Sequence, residues 1–125
     1  MISLSKEQVK ILHKKMAIAT GGSDRIRDES LLDSALSAPF QTFDGAELYP
    51  SATAKIARIT YSLVCNHPFV DGNKRIGTFV MLILLELNHI EVDFSDEDII
   101  CIGMELAAGK MDYRKLLELI LERSK

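Results

Sequence analysis

The chain is expected to fold as an all-α, single-domain helical bundle with one short β-hairpin. Apolar residues recur at three- and four-residue spacing in successive segments, each with a capping residue ahead of it. Only the stretch from Phe40 to Pro50 breaks that pattern, and it carries the hairpin dipeptide Asp44-Gly45. The run Ile76–Leu87 is almost continuously apolar, so it needs neighbours on most sides, yet it falls short of the ~18–20 apolar residues of a membrane span. With 125 residues, 47% of them hydrophobic and 26% charged, the chain suits one domain, 1–125, that can bury a core.

Ser5, followed three residues later by Gln8, forms a capping box, with Leu4 and Val9 as its hydrophobic staple. Val9, Leu12 and Met16 form the inner face of this first helix, which ends at Gly21-Gly22. Asp28 or Ser30 caps a second helix carrying Leu31, Leu32, Ala35 and Leu36, and Pro39 stops it. Phe40 to Tyr49 then reads as a short hairpin or extended flap. Ser51 caps a third helix running to about Asn66, with Ile56, Ile59, Leu63 and Val64 inward. His67-Pro68 breaks it, because the residue before a proline is pushed out of the helical region. The central helix starts near Asn73 and runs to about Asn88. After a connector from Ile90 to Phe94, Ser95 opens a fifth helix whose first turn, Asp96-Glu97-Asp98, suits the positive end of a helix dipole. Gly109 closes it, and Asp112 caps the last helix, with Leu116, Leu117, Ile120 and Leu121 expected inward.

A net charge of −3 argues against direct nucleic-acid binding and against an anionic membrane surface. Cys65 and Cys101 lack CxxC spacing and sit among apolar residues, which suits two buried free thiols in a reducing cytoplasm. Met1–Lys6 lacks the charged-then-apolar pattern of an export signal, so a cytoplasmic protein is expected. His13 and His89 lie far along the chain from the most polar loop and from any cysteine pair, so no structural zinc site is expected. Neither a Walker-type phosphate loop nor a G-x-S-x-G motif is present.

The candidate site is His67-Pro68-Phe69-Val70-Asp71-Gly72-Asn73-Lys74-Arg75-Ile76-Gly77. Gly72 lets backbone N–H groups approach a ligand, and the helix behind it presents unpaired N–H groups and a positive dipole end. Lys74 and Arg75 add full positive charge, so the stretch suits a phosphate or polyphosphate. Asp71 can serve Mg²⁺, which takes one or two carboxylates and shares phosphate oxygens. His67 is of the residue type that most often serves as a general base, since an imidazole can both take and give a proton. Taken singly, each residue is an ordinary turn, cap or surface side chain. Their joint spacing against a buried helix is what points to transfer from a nucleotide to a hydroxyl. Phe69 is expected to anchor the loop in the core.

The nine residues His67 to Arg75 resemble the Fic/Doc signature H-P-F-x-[D/E]-G-N-x-R, with Lys74 as in the Doc (death-on-curing) branch. Ile26–Leu36, Leu48-Tyr49-Pro50 and Leu85–Asn88 extend the resemblance over most of the chain. It implies a Fic fold, with His67 as general base and Asp71 holding Mg²⁺ against ATP phosphates. Gly72, Asn73, Lys74 and Arg75 would line the nucleotide site, and the resemblance counts Asn73 and Arg75 with His67 and Asp71 as catalytic. It also implies that the Phe40–Tyr49 flap aligns a target peptide as an added strand.

The AMP-transferring branch carries G-N-G-R-x-x-R, whereas here Lys74 fills the small position and Thr78 stands where the second Arg belongs. That departure favours the Doc branch, whose resemblance implies a nucleotide bound in reverse with its γ-phosphate presented, and hence a kinase. AMP transfer and a catalytically silent binding module are the competing readings. No Glu is followed by Gly or Asn, so the family's internal inhibitory motif [S/T]-x-x-x-E-[G/N] is missing. Inhibition is therefore expected in trans, from an antitoxin resembling Phd. The expected target is a translation factor, with elongation factor Tu as the candidate.

Overall fold

The computed structural model describes residues 1–125. Helix α1 (Lys6–Thr20) begins at the capping box: the Gln8 N–H donates to the Ser5 hydroxyl, and the Ser5 N–H donates back to the Gln8 side chain. It ends at Gly21, whose φ of 74° is the left-handed geometry a glycine adopts without strain. Asp28, rather than Ser30, caps α2 (Glu29–Ser37) by accepting from the Ser30 and Leu31 N–H groups. Pro39 ends that α-helix but sits inside a 3₁₀ turn, Ala38–Phe40, where its missing N–H costs nothing.

The flap is a two-stranded antiparallel hairpin, β1 (Thr42–Phe43) and β2 (Ala46–Glu47), with Thr42 opposite Glu47 and Phe43 opposite Ala46. Asp44 and Gly45 both have positive φ, 54° and 81°, as a tight two-residue turn between twisted strands demands. Lys55, only 6% exposed, holds the flap down. Its ammonium donates to Glu47 Oε1 at 2.9 Å and to the Tyr49 carbonyl.

Helices α3 (Ala52–Asn66) and α4 (Asn73–Leu87) form an antiparallel pair at the centre, and the other helices pack around it. α2 and α6 (Tyr113–Arg123) lie on α3, α1 lies on α4 and α2, and α5 (Asp96–Ala107) spans α4 and α3. Ile56, Ile59, Leu63 and Val64 of α3 meet Ile76, Val80, Met81, Leu84 and Leu85 of α4 in one contiguous core. The pair crosses at Gly77, where a Cβ would fall 2.5 Å from Val64 Cγ2. The N-terminus is tied in by Asn88, whose side-chain amide exchanges two 2.8 Å hydrogen bonds with the backbone of Ile2. No helix is long and apolar enough to cross a membrane.

Two expectations fail. Leu121 is 57% exposed, because Leu116 and Ile120 already fill the inner face of α6 and a residue one position on turns by about 100°. Cys101 is also exposed, since α5 buries only the stripe of Ile102, Gly103 and Leu106. Cys65 is half-buried: its thiol donates to the Leu106 carbonyl, and burial pushes its pKa up.

Gly77→Ala should destabilise the fold despite alanine's higher helix propensity. Val64 is β-branched and cannot rotate away, so overpacking of roughly 1–3 kcal/mol outweighs a propensity gain of at most ~1 kcal/mol. Denaturant unfolding should show this, and the Gly77→Ala/Val64→Ala pair should cost less than the sum of its singles. A second test concerns acid. The Ser30 hydroxyl, with the Leu31 and Ser30 N–H groups, holds the Asp28 carboxyl below its usual range. A carboxylate depressed in the fold adds stability that is present above its unfolded pKa of about 3.9 and is lost as pH falls through the folded value. Asp28→Ala should therefore lower Tm at neutral pH, and the gap to wild type should close below about pH 4.

Candidate active site

The loop from His67 to Gly72 reverses the chain between α3 and α4. α3 ends on His67 at φ 51°, ψ 55°, a left-handed geometry that costs a non-glycine residue about 1–2 kcal/mol. Arg27 supports the turn from outside. Its Nε donates to the His67 carbonyl at 2.7 Å and its Nη2 to the Asn66 carbonyl at 2.9 Å, satisfying the open end of α3. The segment before α2 then pairs with the loop. The Arg27 and Asp28 N–H groups donate to the Pro68 carbonyl, the Val70 N–H donates to the Arg25 carbonyl, and Ile26 bridges Phe69.

Inside the loop, Phe69 is 1% exposed, as expected of an anchor. The Asn73 side chain clips onto the same residue: its Oδ1 accepts from the Phe69 N–H at 3.0 Å and its Nδ2 donates to the Phe69 carbonyl at 2.9 Å. Both faces of that amide are thus engaged in holding the loop. Gly72 caps α4 at φ 79° with no side-chain hydrogen bond, so the first-turn N–H groups carry no cap, as an anion site would require.

Asp71, Gly72, Lys74, Arg75 and Thr78 line one wall of an open groove of about 530 Å³, and Ile99, Ile100, Gly103 and Met104 of α5 line the other. Lys74 and Arg75 are exposed and enter no ion pair within the chain, so their charge is available to a ligand. Thr78 is buried, and its hydroxyl turns back to the Lys74 and Arg75 carbonyls at 3.1 and 3.2 Å. Asp71 is exposed beside them. No cluster of three His, Cys, Asp or Glu side chains exists anywhere in the chain. A cation at Asp71 would share water and phosphate oxygens, which is how Mg²⁺ binds with one carboxylate. The residues present therefore fit a nucleotide-bound Mg²⁺ and do not fit a protein-only metal cage. His67 is exposed at the start of the loop, makes no hydrogen bond through its imidazole, and is not among the groove-lining residues.

Three supporting residues escaped the sequence reading. His13, distant in the chain, lies directly under the loop, with its ring stacked on Phe69 at 3.7 Å and its Nε2 bonded to the Asp71 carbonyl at 2.7 Å. The period-four stripe Val9–His13–Ala17 was the available signal, since it sets His13 on the inner face of α1. Arg27 and Lys55 had no local signal, because an arginine closing a distant helix end and a lysine under a flap are tertiary contacts.

A family model described as "Fic/DOC family" matches residues 3–85 of the chain. The match takes in α1, α2, the flap, α3, the loop and nearly all of α4. A curated relative, "Toxin Doc" of Mycolicibacterium smegmatis, is 38% identical over 76 residues, covering 61% of this chain and 58% of that protein. The aligned part thus spans less than two thirds of the relative's length. That match spans well over half of the chain and includes the whole signature loop, so this chain belongs to the Fic/DOC family.

Proposed function

We propose that the chain is a Doc-like toxin of a toxin–antitoxin pair that transfers the γ-phosphate of ATP to a hydroxyl of a target protein. The groove at the start of α4 carries this reading: uncapped helix N–H groups, two unpaired cations and one free carboxylate converge there with no second arginine at Thr78. In this reading the N–H groups of the first turn, Lys74 and Arg75 hold the polyphosphate. Asp71 would hold Mg²⁺, which when bound offsets phosphate charge. Asn73 keeps the loop in shape through Phe69.

His67 takes the proton of the target hydroxyl as the oxygen forms its bond to the γ-phosphorus. The bond from that phosphorus to the bridging oxygen breaks, ADP leaves, and the proton passes from the imidazole to solvent. The free imidazole of His67 suits this role, since no hydrogen bond within the chain competes for its lone pair. The flap, with a two-residue turn and a Lys55 anchor, offers an exposed strand edge for a target segment. A cytoplasmic setting, a translation elongation factor (elongation factor Tu) as target, and an antitoxin resembling Phd complete the reading. The missing internal Glu-Gly or Glu-Asn motif supports control in trans.

His67→Asn should lower transfer by about 10²–10⁴-fold while leaving Tm near wild type, because asparagine tolerates a left-handed backbone and cannot act as the base. With labelled ATP, γ-label should appear on the target protein, whereas label from only the α position would establish nucleotidyl transfer instead. Expression of the chain alone should arrest growth, and co-expression of the adjacent reading frame should relieve it. Equal arrest in both cases would overturn the toxin–antitoxin assignment.

A further inference from the structure

Two contacts from α1 and the turn after it converge on one residue of the site, Asp71, and each controls a different part of it. His13 is 3% exposed and lies under the loop. Its Nε2 meets the Asp71 carbonyl at 2.7 Å, and a carbonyl only accepts, so this nitrogen carries the proton. Its ring stacks on Phe69 at an interplanar angle of 11°, while Nδ1 is buried without a partner. The ring is therefore held by the stack and by that one bond, and through the bond it sets the height of the Asp71 backbone.

Gly22 controls the side chain. A Cβ built on Gly22 would sit 2.5 Å from Asp71 Oδ2 and 3.6 Å from its Cγ, so the carboxylate occupies the space that a side chain would fill. Gly22 is not among the glycines with positive φ, so its backbone does not require glycine. Gly21 already provides the left-handed residue that ends α1, and Gly22 adds only an N–H donated to the Ala17 carbonyl. Helix termination thus leaves the second glycine unexplained, and the missing Cβ accounts for it. The clash in a Gly22 variant would be with the free end of a rotatable side chain, so the carboxylate would swing away before the backbone moved.

We propose that His13 and Gly22 are positioning residues that aim the Asp71 carboxylate at the nucleotide-bound cation. His13 acts through the backbone carbonyl and Gly22 through the space it leaves. The inference rests on the nucleotide–Mg²⁺ reading of the groove.

The test is calorimetric binding of a non-hydrolysable ATP analogue, with and without Mg²⁺, to the full chain and its variants. Wild type should bind more tightly with Mg²⁺, and Asp71→Asn should lose that gain. Gly22→Ala should lose about 10–100-fold of the Mg²⁺-dependent affinity, with metal-free binding and Tm unchanged. His13→Gln, which keeps a donor, should retain the gain, and His13→Phe, which keeps only the stack, should lose it. If Asp71→Asn keeps the full gain, the cation reading itself fails. If Asp71→Asn loses the gain while Gly22→Ala and His13→Phe keep it, the cation reading stands and the positioning roles are overturned. Should His13→Phe not fold, Gly22→Ala and His13→Gln decide the matter.

Discussion

The Asn73 side-chain amide and the Phe69 backbone form a closed pair of hydrogen bonds, and the architecture of the site depends on it. Both groups are buried, so an unmade bond there would leave a polar group stranded at a cost of about 1–3 kcal/mol. That penalty makes the loop conformation nearly all-or-none. With the pair closed, Phe69 enters the core, Gly72 takes its left-handed geometry, and the first turn of α4 is left without a side-chain cap. Asn73 is thus placed to serve a ligand by shaping the peptide groups that would meet it, while Lys74 and Arg75 keep their side chains free.

The central helix pair supplies the rigidity behind that loop. α3 and α4 approach so closely at Gly77 that no side chain fits, and the two ends of the loop inherit the fixed spacing of the pair. The left-handed His67 adds strain at the end of α3, which Arg27 offsets with two hydrogen bonds to the exposed carbonyls. Strain at such a position persists only when the surroundings over-determine it. Here the strand-like segment before α2, the Arg27 fork and the His13 stack all do so.

Charge is distributed in the same spirit. The chain as a whole carries −3, and several cations are consumed locally: Lys6 and Lys10 by Glu29, the buried Lys55 by Glu47, Arg123 by Asp98. Lys74 and Arg75 are left without acidic partners at the one α-helix start that lacks a side-chain cap. A locally positive groove on a negative molecule favours a small polyanion over an extended one, because the field beyond about one Debye length, ~8–10 Å, is that of the whole protein.

The helices, their caps and the turn chemistry of the flap were legible in the sequence, because each depends on residues within four or five positions of one another. Ser5 with Gln8, Asp112 ahead of α6 and Asp44-Gly45 between strands carry their geometry locally. The signature loop was legible too, since a proline, a glycine and two cations at fixed spacing describe their own backbone and charge. What lay outside local reach was which distant residues hold that loop and the flap. His13 under Asp71, Gly22 beside its carboxylate, Arg27 on the end of α3 and Lys55 beneath the flap come together only when helices pack. The exposure of Cys101 and Leu121 was likewise decided by packing, because periodicity gives a helix an apolar stripe and only its neighbours determine how wide a stripe they cover. Sequence alone therefore determined the elements and the residue pattern of the loop, and tertiary structure decided its support, because local propensity acts along the chain while burial acts across it.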